Sequence, residues 1–328
     1  MLRAALPELG RIQDPVGDRL EQLYGVITEL VVDEFDLIDE VNDYLLMKRG
    51  KLFRPTLLLL SNEIGDKRSD EALLLAAVVE AVHLATLVHD DAVDHSVLRR
   101  GMPTVNSVWG HQVAIIMGDY LYSRSVMEMT RLQRVDVIKV LADAANAMTI
   151  GEMRQLAMHD TLEFTEDDYL RLISSKTASL MSAACELGSM VGDPTYRDGL
   201  KRYGYALGMA FQIVDDILDY VGTEDLTGKP TGHDLREHKV TLPLIVALRE
   251  FDHDQRLVIN SLFADPEPEN ETILKVVEAT NAAGGIDYAR RKAQGFADQA
   301  LAALGGLPES PATAALAEAV NYTIERQQ

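Results

Sequence analysis

Apolar residues recur at steps of three and four through most of the chain, the period of an amphipathic helix. Between Val16 and Leu46 they fall at Leu20, Leu23, Val26, Ile27, Leu30 and Val31, and predict one long helix. Two stretches, Ala72–His89 and Gly204–Tyr220, are apolar nearly all round, which places them at the centre of a fold. Helices are also predicted over Val113–Arg131, Asp136–His159, Glu166–Val191, Leu242–Phe251, Glu269–Ala283 and Ile286–Leu304. Pro55 sits where another could start. No period-2 run bounded by turn residues stands out, so strands are not expected. The breaks fall at Arg99–Val105, Gly192–Tyr196, Gly222–His238 and Asp265–Glu269. The third is long and polar, and loops of that length usually carry function or are disordered. No Pro/Ser-rich linker and no short tandem repeat divides the chain. The expectation is an all-α fold in a single domain spanning 1–328, with the first fifteen or so residues and the tail after about 305 peripheral.

With 328 residues, 47% of them apolar, the chain can bury an ample core without staples. Its 31 Lys and Arg against 52 Asp and Glu leave a formal charge of −21. That excludes a nucleic-acid binder, which needs a basic surface, and disfavours static attraction to anionic membranes. If such a protein handles a polyanion, it does so with a few local cations or with metal ions. The single cysteine, Cys185, sits among small residues, permits no intramolecular disulfide and is expected to be inert packing. The N-terminus has no apolar segment with a small-residue cleavage site. The longest nearly apolar stretch, Ala72–Val88, carries Glu80 and His83 and falls short of a membrane span. These features predict a soluble cytoplasmic protein without a transmembrane segment. Met117, Met127, Met129, Met148, Met153 and Met158 are expected to pack the core or, for some of them, to line an internal tunnel.

Chemistry enters with two aspartate clusters. Asp90-Asp91-Ala-Val-Asp94 closes the first apolar helix and Asp215-Asp216-Ile-Leu-Asp219 the second. Positions i and i+4 share a helix face, so Asp90 and Asp94 point the same way, with Asp91 about 100° round the axis. Like charges at this spacing destabilise a helix, and burial makes the cost worse. Mg²⁺ offsets it, because it binds through one or two carboxylates and shares its other positions with water and substrate phosphates. A single cluster would be weak evidence beside a solvated helix end. Two copies, each closing an apolar helix, are much less easily accidental.

The cations gather near these clusters. Arg99 and Arg100 follow the first; Lys51 and Arg54 lie in RGKLFRP; Lys176 and Thr177 interrupt a run of small residues; Lys229 and Lys239 bracket GKPTGHDLREHK. Surface ion pairs would explain them cheaply, but Arg as a fork and Lys as a point charge also cradle diphosphate.

Taken together, RGKLFRP, H-x-x-T-x-x-H-D-D-x-x-D-x-x-x-x-R-R-G, GE-x-x-Q, KTA, FQIVDDILD and GKPTGHDLREHKVTLPL resemble the trans-type (all-E) polyprenyl diphosphate synthases, in the family's order, from about Gly50 to Leu244. The resemblance implies an isoprenoid synthase fold, a helical bundle around a deep apolar cavity, usually as a homodimer. It also implies Mg²⁺-dependent condensation of isopentenyl diphosphate with an allylic diphosphate (geranyl, farnesyl or geranylgeranyl), three ions being bound once the substrates are in place. Carried over by position, Asp90, Asp91, Asp94, Asp215, Asp216 and Asp219 would bind metal, mainly through Asp90, Asp94 and Asp215. Arg99, Lys176 and Lys239 would assist with the allylic diphosphate. Lys51, Arg54, His83 and Arg100 would bind isopentenyl diphosphate. Thr177 and Gln212 would face the developing carbocation, and Lys229 would close over the site. His89 is expected to be a satisfied core histidine. Two positions depart from the pattern: Leu52, where many members carry a basic residue, and His233, where Asn is common.

The chemistry agrees independently. Ionising an allylic C–O bond loads charge onto diphosphate, which Mg²⁺ and fixed cations stabilise. The released diphosphate then removes a proton, so no protein nucleophile is required. Accordingly the chain has no G-x-S-x-G elbow, C-x-x-C pair or H-E-x-x-H motif. A class I terpene cyclase would not need Lys51, Arg54 and Arg100, and a non-catalytic subunit of a heteromeric synthase would be expected to have lost one aspartate cluster.

Product length is expected to follow from Ala85 and Thr86, about one turn before Asp90. Short-chain members commonly place a bulky residue there. Both side chains here are small, and Ala81 and Val82, a further turn back, are not large either. A medium- or long-chain product of about six to ten units, of the kind used for quinone side chains, is the expectation. A geranylgeranyl diphosphate synthase is the runner-up.

Overall fold

In the computed structural model, residues 7–47, 50–99, 101–158, 161–221 and 231–325 are described. Helices follow one another as α1 (Pro7–Gln13), α2 (Gly17–Val31), α3 (Asp36–Met47), α4 (Phe53–Asn62), α5 (Glu71–Val93), α6 (Val105–Trp109), α7 (His111–Thr130), α8 (Val135–Ala157) and α9 (Glu166–Ile173). They continue as α10 (Ser179–Val191), α11 (Arg197–Val221), α12 (His233–Arg236), α13 (Leu242–Glu250), α14 (His253–Ala264), α15 (Asn270–Ala282), α16 (Gly285–Leu304) and α17 (Pro311–Glu325). The described residues form two compact units. The first draws on Met1–Ala145, Leu180–Gly204 and Leu304–Ala319, the second on Asn146–Ser179, Tyr205–Ala303 and Val320–Gln328.

The first unit is built round α5, which packs against α2, α4 and α7. Leu75, Ala76, Ala77, Val78, Val79 and Ala81 are fully buried, as an all-round apolar helix requires. Among the described residues α5 is also the helix long and apolar enough to cross a membrane, but most of it is buried within the fold. The helix expected from Val16 to Leu46 is two. Val32 turns extended, and the Asp33 carboxylate accepts the Phe35 N–H at 3.2 Å, so an aspartate turn replaces helical bonds. Strands were not expected, yet a small hairpin, β1 (Leu98–Arg99) with β2 (Met102–Pro103), follows α5, turning at Gly101 with φ +74°. α10 is buried throughout, and a Cβ at Gly188 would strike the Leu58 carbonyl of α4. Cys185 lies there fully buried, its thiol pushed up to about 12 by burial. The tail expected to be peripheral includes α17, whose Leu316 is buried and accepts the Tyr203 hydroxyl at 2.7 Å.

The second unit has its own core of Ile213, Ile217, Tyr220, Leu235, Leu242 and Ile273. Thr165 and Asp168 form a capping box that starts α9, and Asp252 with Gln255 another that starts α14, a helix the apolar period did not reveal. Between α9 and α10 the chain widens into a π turn, Ser174–Ala178. Of the methionines, Met117, Met129 and Met148 are buried, whereas Met127 and Met153 are exposed, contrary to the core expectation.

Candidate active site

In the first unit the acidic end of α5 divides its carboxylates. Asp91, about 100° round the helix, is buried, and both its oxygens accept from Arg99 Nε at 2.7 and 2.8 Å. Asp90 is half-buried and Asp94, the residue capping α5, is exposed. The Arg99 Nε bond ties the hairpin back to the helix, so the arginine expected at a diphosphate is already anchored. His89 sits against Gly118, where any Cβ would collide with its ring, and its Nε2 lies 3.0 Å from the Ile115 carbonyl oxygen. Its Nε2 also lies 3.4 Å from Asp119 Oδ1 and the side chain is 36% exposed, so His89 is partnered at the edge of the fold and not in the core, contrary to the expectation.

RGKLFR enters α4 through a left-handed Leu52, φ +52°, an unusual conformation for leucine. Both the N–H and the hydroxyl of Thr56 bond its carbonyl, at 2.9 and 2.7 Å. The turn carries Lys51, which is exposed, and Arg54. Arg54 Nη1 lies 3.1 Å from His83 Nε2, so two of the residues expected at isopentenyl diphosphate meet. A guanidinium only donates, so Nε2 is the acceptor and the imidazole proton resides on Nδ1. Nearby on α5, Ala85 is buried, and half-buried Thr86 donates its hydroxyl to the His83 carbonyl at 2.7 Å.

In the second unit five expected residues, Lys176, Thr177, Gln212, Asp216 and Lys239, line one pocket of about 210 Å³. Met158, Phe164, Leu172, Ile173 and Val240 supply its apolar wall. Lys176 and Thr177 lie on the π turn, a distortion that often marks functional sites. Two glycines let helices approach that turn. A Cβ at Gly208 of α11 would come 2.6 Å from Ala178 Cα, and one at Gly151 of α8 3.0 Å from Ser175 Cβ. One turn on from Gly208, Gln212 Oε1 accepts the Thr177 hydroxyl at 2.7 Å. Beside Gly151, Glu152 Oε2 pairs with Lys176 Nζ at 2.6 Å, and Gln155 Oε1 accepts from it at 3.1 Å.

The second aspartate cluster also divides. Asp216 is buried, with Oδ1 accepting Gln212 Nε2 at 2.9 Å and Oδ2 accepting the Tyr169 hydroxyl at 2.5 Å. Burial, then the neighbouring Asp234 carboxylate, raises Asp216 well above the usual carboxylate range. Asp219 accepts the backbone N–H groups of His233 and Asp234 at 3.1 and 3.0 Å. Burial and Asp234 push it up to about 7. Asp215 is half-buried. His233 Nε2 lies 3.1 Å from Glu237 Oε1, and Lys239 Nζ donates to Glu237 Oε2 at 2.7 Å. Burial pushes Glu237 up, but the bonds from His233 and Lys239 outweigh it and hold the carboxyl well below its ordinary range.

The donors suit Mg²⁺: carboxylate oxygens, hard ligands in excess of the charge around them. Among the described residues no three His, Cys, Asp or Glu already converge on a point, which an ion taking one or two carboxylates plus water and phosphate does not require. Arg100 and Lys229 lie outside the described residues. Tyr169, Asp234 and His238 also line the pocket but carried no role in the sequence reading. Asp234 and His238 stand inside GHDLREHK, where the basic ends drew attention; Tyr169 reads as one more apolar position of α9.

Three comparisons bear on the whole arrangement. The polyprenyl synthetase family model matches residues 35–280. The octaprenyl diphosphate synthase of Escherichia coli (strain K12) is 34% identical, over 98% of this chain and 99% of that protein. A crystal structure of a decaprenyl diphosphate synthase from Rhodobacter capsulatus superposes with a TM-score of 0.92 at 36% identity, covering 98% of this chain and 99% of the other.

Proposed function

The chain belongs to the polyprenyl synthetase family and is a trans-polyprenyl diphosphate synthase, and on that premise we propose that it condenses isopentenyl diphosphate with a geranyl, farnesyl or geranylgeranyl diphosphate to a product of about six to ten units. One observation carries the reading: polar and apolar side chains line one pocket, Lys176, Lys239, Thr177 and Gln212 together with Met158, Phe164 and Leu172. The length of the product is supported by the small Ala85 and by the octaprenyl and decaprenyl names of the relatives. The extent of the likeness, 98% of the chain, supports one catalytic domain over 1–328 that includes both units.

The family is generally Mg²⁺-dependent, and Asp90, Asp94 and Asp215 are the residues we assign to hold the metal, as three ions with substrate bound. Bound there, Mg²⁺ would stabilise the charge that accumulates on diphosphate as the allylic C–O bond breaks. Lys176 and Lys239 bind oxygens of the same diphosphate as point charges. Asp91 and Asp216, each buried and held by protein donors, orient neighbouring side chains. Thr177 and Gln212 place neutral oxygens where the allylic cation develops, and the apolar wall keeps water from trapping it. Lys51, Arg54, His83 and Arg100 hold isopentenyl diphosphate, with Lys229 closing over the substrates. A homodimer is the expected assembly. Exposed Ile116 and Met127 lie on one face of α7, about three turns apart, a surface suited to a second copy. Light scattering at a single chain mass would count against it. We place the enzyme in the cytoplasm.

The test is turnover by the purified chain with Mg²⁺ and both diphosphates, compared with the allylic substrate alone. Incorporation of isopentenyl diphosphate is expected, and Asp90→Ala or Asp215→Ala should lower it on the order of a hundredfold or more in folded protein. Near-normal turnover in either variant would remove the metal assignment.

A further inference from the structure

Three hydrogen bonds run in series along the lining of the pocket in the second unit. The Tyr169 hydroxyl donates to Asp216 Oδ2, Gln212 Nε2 donates to Asp216 Oδ1, and the Thr177 hydroxyl donates to Gln212 Oε1. With Asp216 ionised both of its oxygens accept, so the amide turns its nitrogen to Asp216 and its oxygen to Thr177. Thr177 has one proton, and Gln212 takes it. What remains at that hydroxyl is lone pairs.

We propose that Tyr169 is a positioning residue for prenyl transfer: by holding Asp216 it fixes the Gln212 amide, and through the amide it keeps the Thr177 oxygen turned to the pocket as an acceptor. A hydroxyl in this sense stabilises a developing cation, and one turned the other way would oppose it. Tyr169 is 2% exposed, and its hydroxyl bonds a carboxylate that itself lines the pocket. Phenylalanine would fill the ring's space equally well, so packing alone does not require the hydroxyl. Without it, Asp216 is held at one oxygen by a neutral amide. The carboxylate can then rotate, and the Gln212 amide loses its fixed reference.

This inference rests on the pocket being the prenyl-transfer site. Its test is a double-mutant cycle between Tyr169→Phe and Thr177→Val, with thermal unfolding followed for each protein. Tyr169→Phe alone should lower kcat about tenfold to a hundredfold, with KM for both diphosphates unchanged within about twofold. In the Thr177→Val background the same change should cost less than about twofold more, because the group through which Tyr169 acts is gone. A purely structural tyrosine would impose the same factor in both backgrounds, and that result would overturn the proposal, as would an unchanged kcat. Should Tyr169→Phe fail to fold, Asp216→Asn replaces it in the cycle. Its new N–H₂ group would invert the amide and turn the Thr177 proton toward the pocket. The same non-additivity is expected, at an unchanged half-saturating Mg²⁺ concentration, and multiplying penalties would again overturn the role. Active unsubstituted enzyme with multiplying penalties removes only the role of Tyr169; no incorporation of isopentenyl diphosphate by the unsubstituted chain removes both readings.

Discussion

Lys176 holds its ammonium 2.6 Å from one carboxylate oxygen of Glu152, while the other oxygen of that carboxylate is buried with no hydrogen-bond partner among the described residues. The pair therefore has two separable effects on an incoming diphosphate. The carboxylate tethers the lysine at the pocket, and its charge offsets part of the lysine's field. Glu152→Gln keeps an acceptor and removes the charge, so KM for the allylic diphosphate should fall, about threefold to tenfold for one half-buried pair. Glu152→Ala removes the tether as well, and KM should rise. Steady-state kinetics on the two variants checks this; shifts in the same direction would refute the division.

Gly208 makes the close approach of α11 to the π turn possible, and through it the Thr177–Gln212 bond. Gly208→Ala should destabilise the protein by about 1–3 kcal/mol, because the new methyl meets backbone that cannot yield cheaply. kcat should fall with it. Gly10 is the control: it is exposed in α1 and a Cβ there meets nothing within 4 Å. At that site alanine should be neutral or stabilising by up to about 1 kcal/mol. Denaturant unfolding of both variants measures the difference.

Ala85 is 3% exposed on α5, small where a larger side chain would project from the helix. Ala85→Phe should shorten the product to about three or four units without abolishing condensation, since the ring fills space and replaces no phosphate ligand. Chromatography of dephosphorylated products is the readout, and an unchanged long product would show that this position does not set length.

Much of the site was legible because its chemistry is local in sequence. Both aspartate clusters, the KTA turn and the basic ends of GKPTGHDLREHK are short motifs, and a helical period is enough to place Asp91 and Asp216 off the face of their neighbours. Contacts made across the chain were not legible. Tyr169 and Asp216 stand 47 positions apart, and in sequence the tyrosine is one more apolar position. The π turn leaves no mark in SSKTA, and the glycines that approach it, Gly151 and Gly208, lie more than twenty positions away on either side. Periodicity also reads faces better than breaks. It ran α2 and α3 together across an aspartate turn, and it missed α14 and α17, the latter burying mostly alanine: Ala312, Ala315 and Ala319 beside Leu316 and Val320.

The most direct measurement is the length distribution of products made by the purified, unsubstituted chain from isopentenyl diphosphate and an allylic diphosphate with Mg²⁺. A ladder of all-trans products ending at about six to ten units is expected, the allylic diphosphate remaining unchanged when offered alone. Products ending at four units or fewer would contradict the account of chain length, and cyclised hydrocarbon from the allylic diphosphate alone would contradict the assignment of the reaction itself.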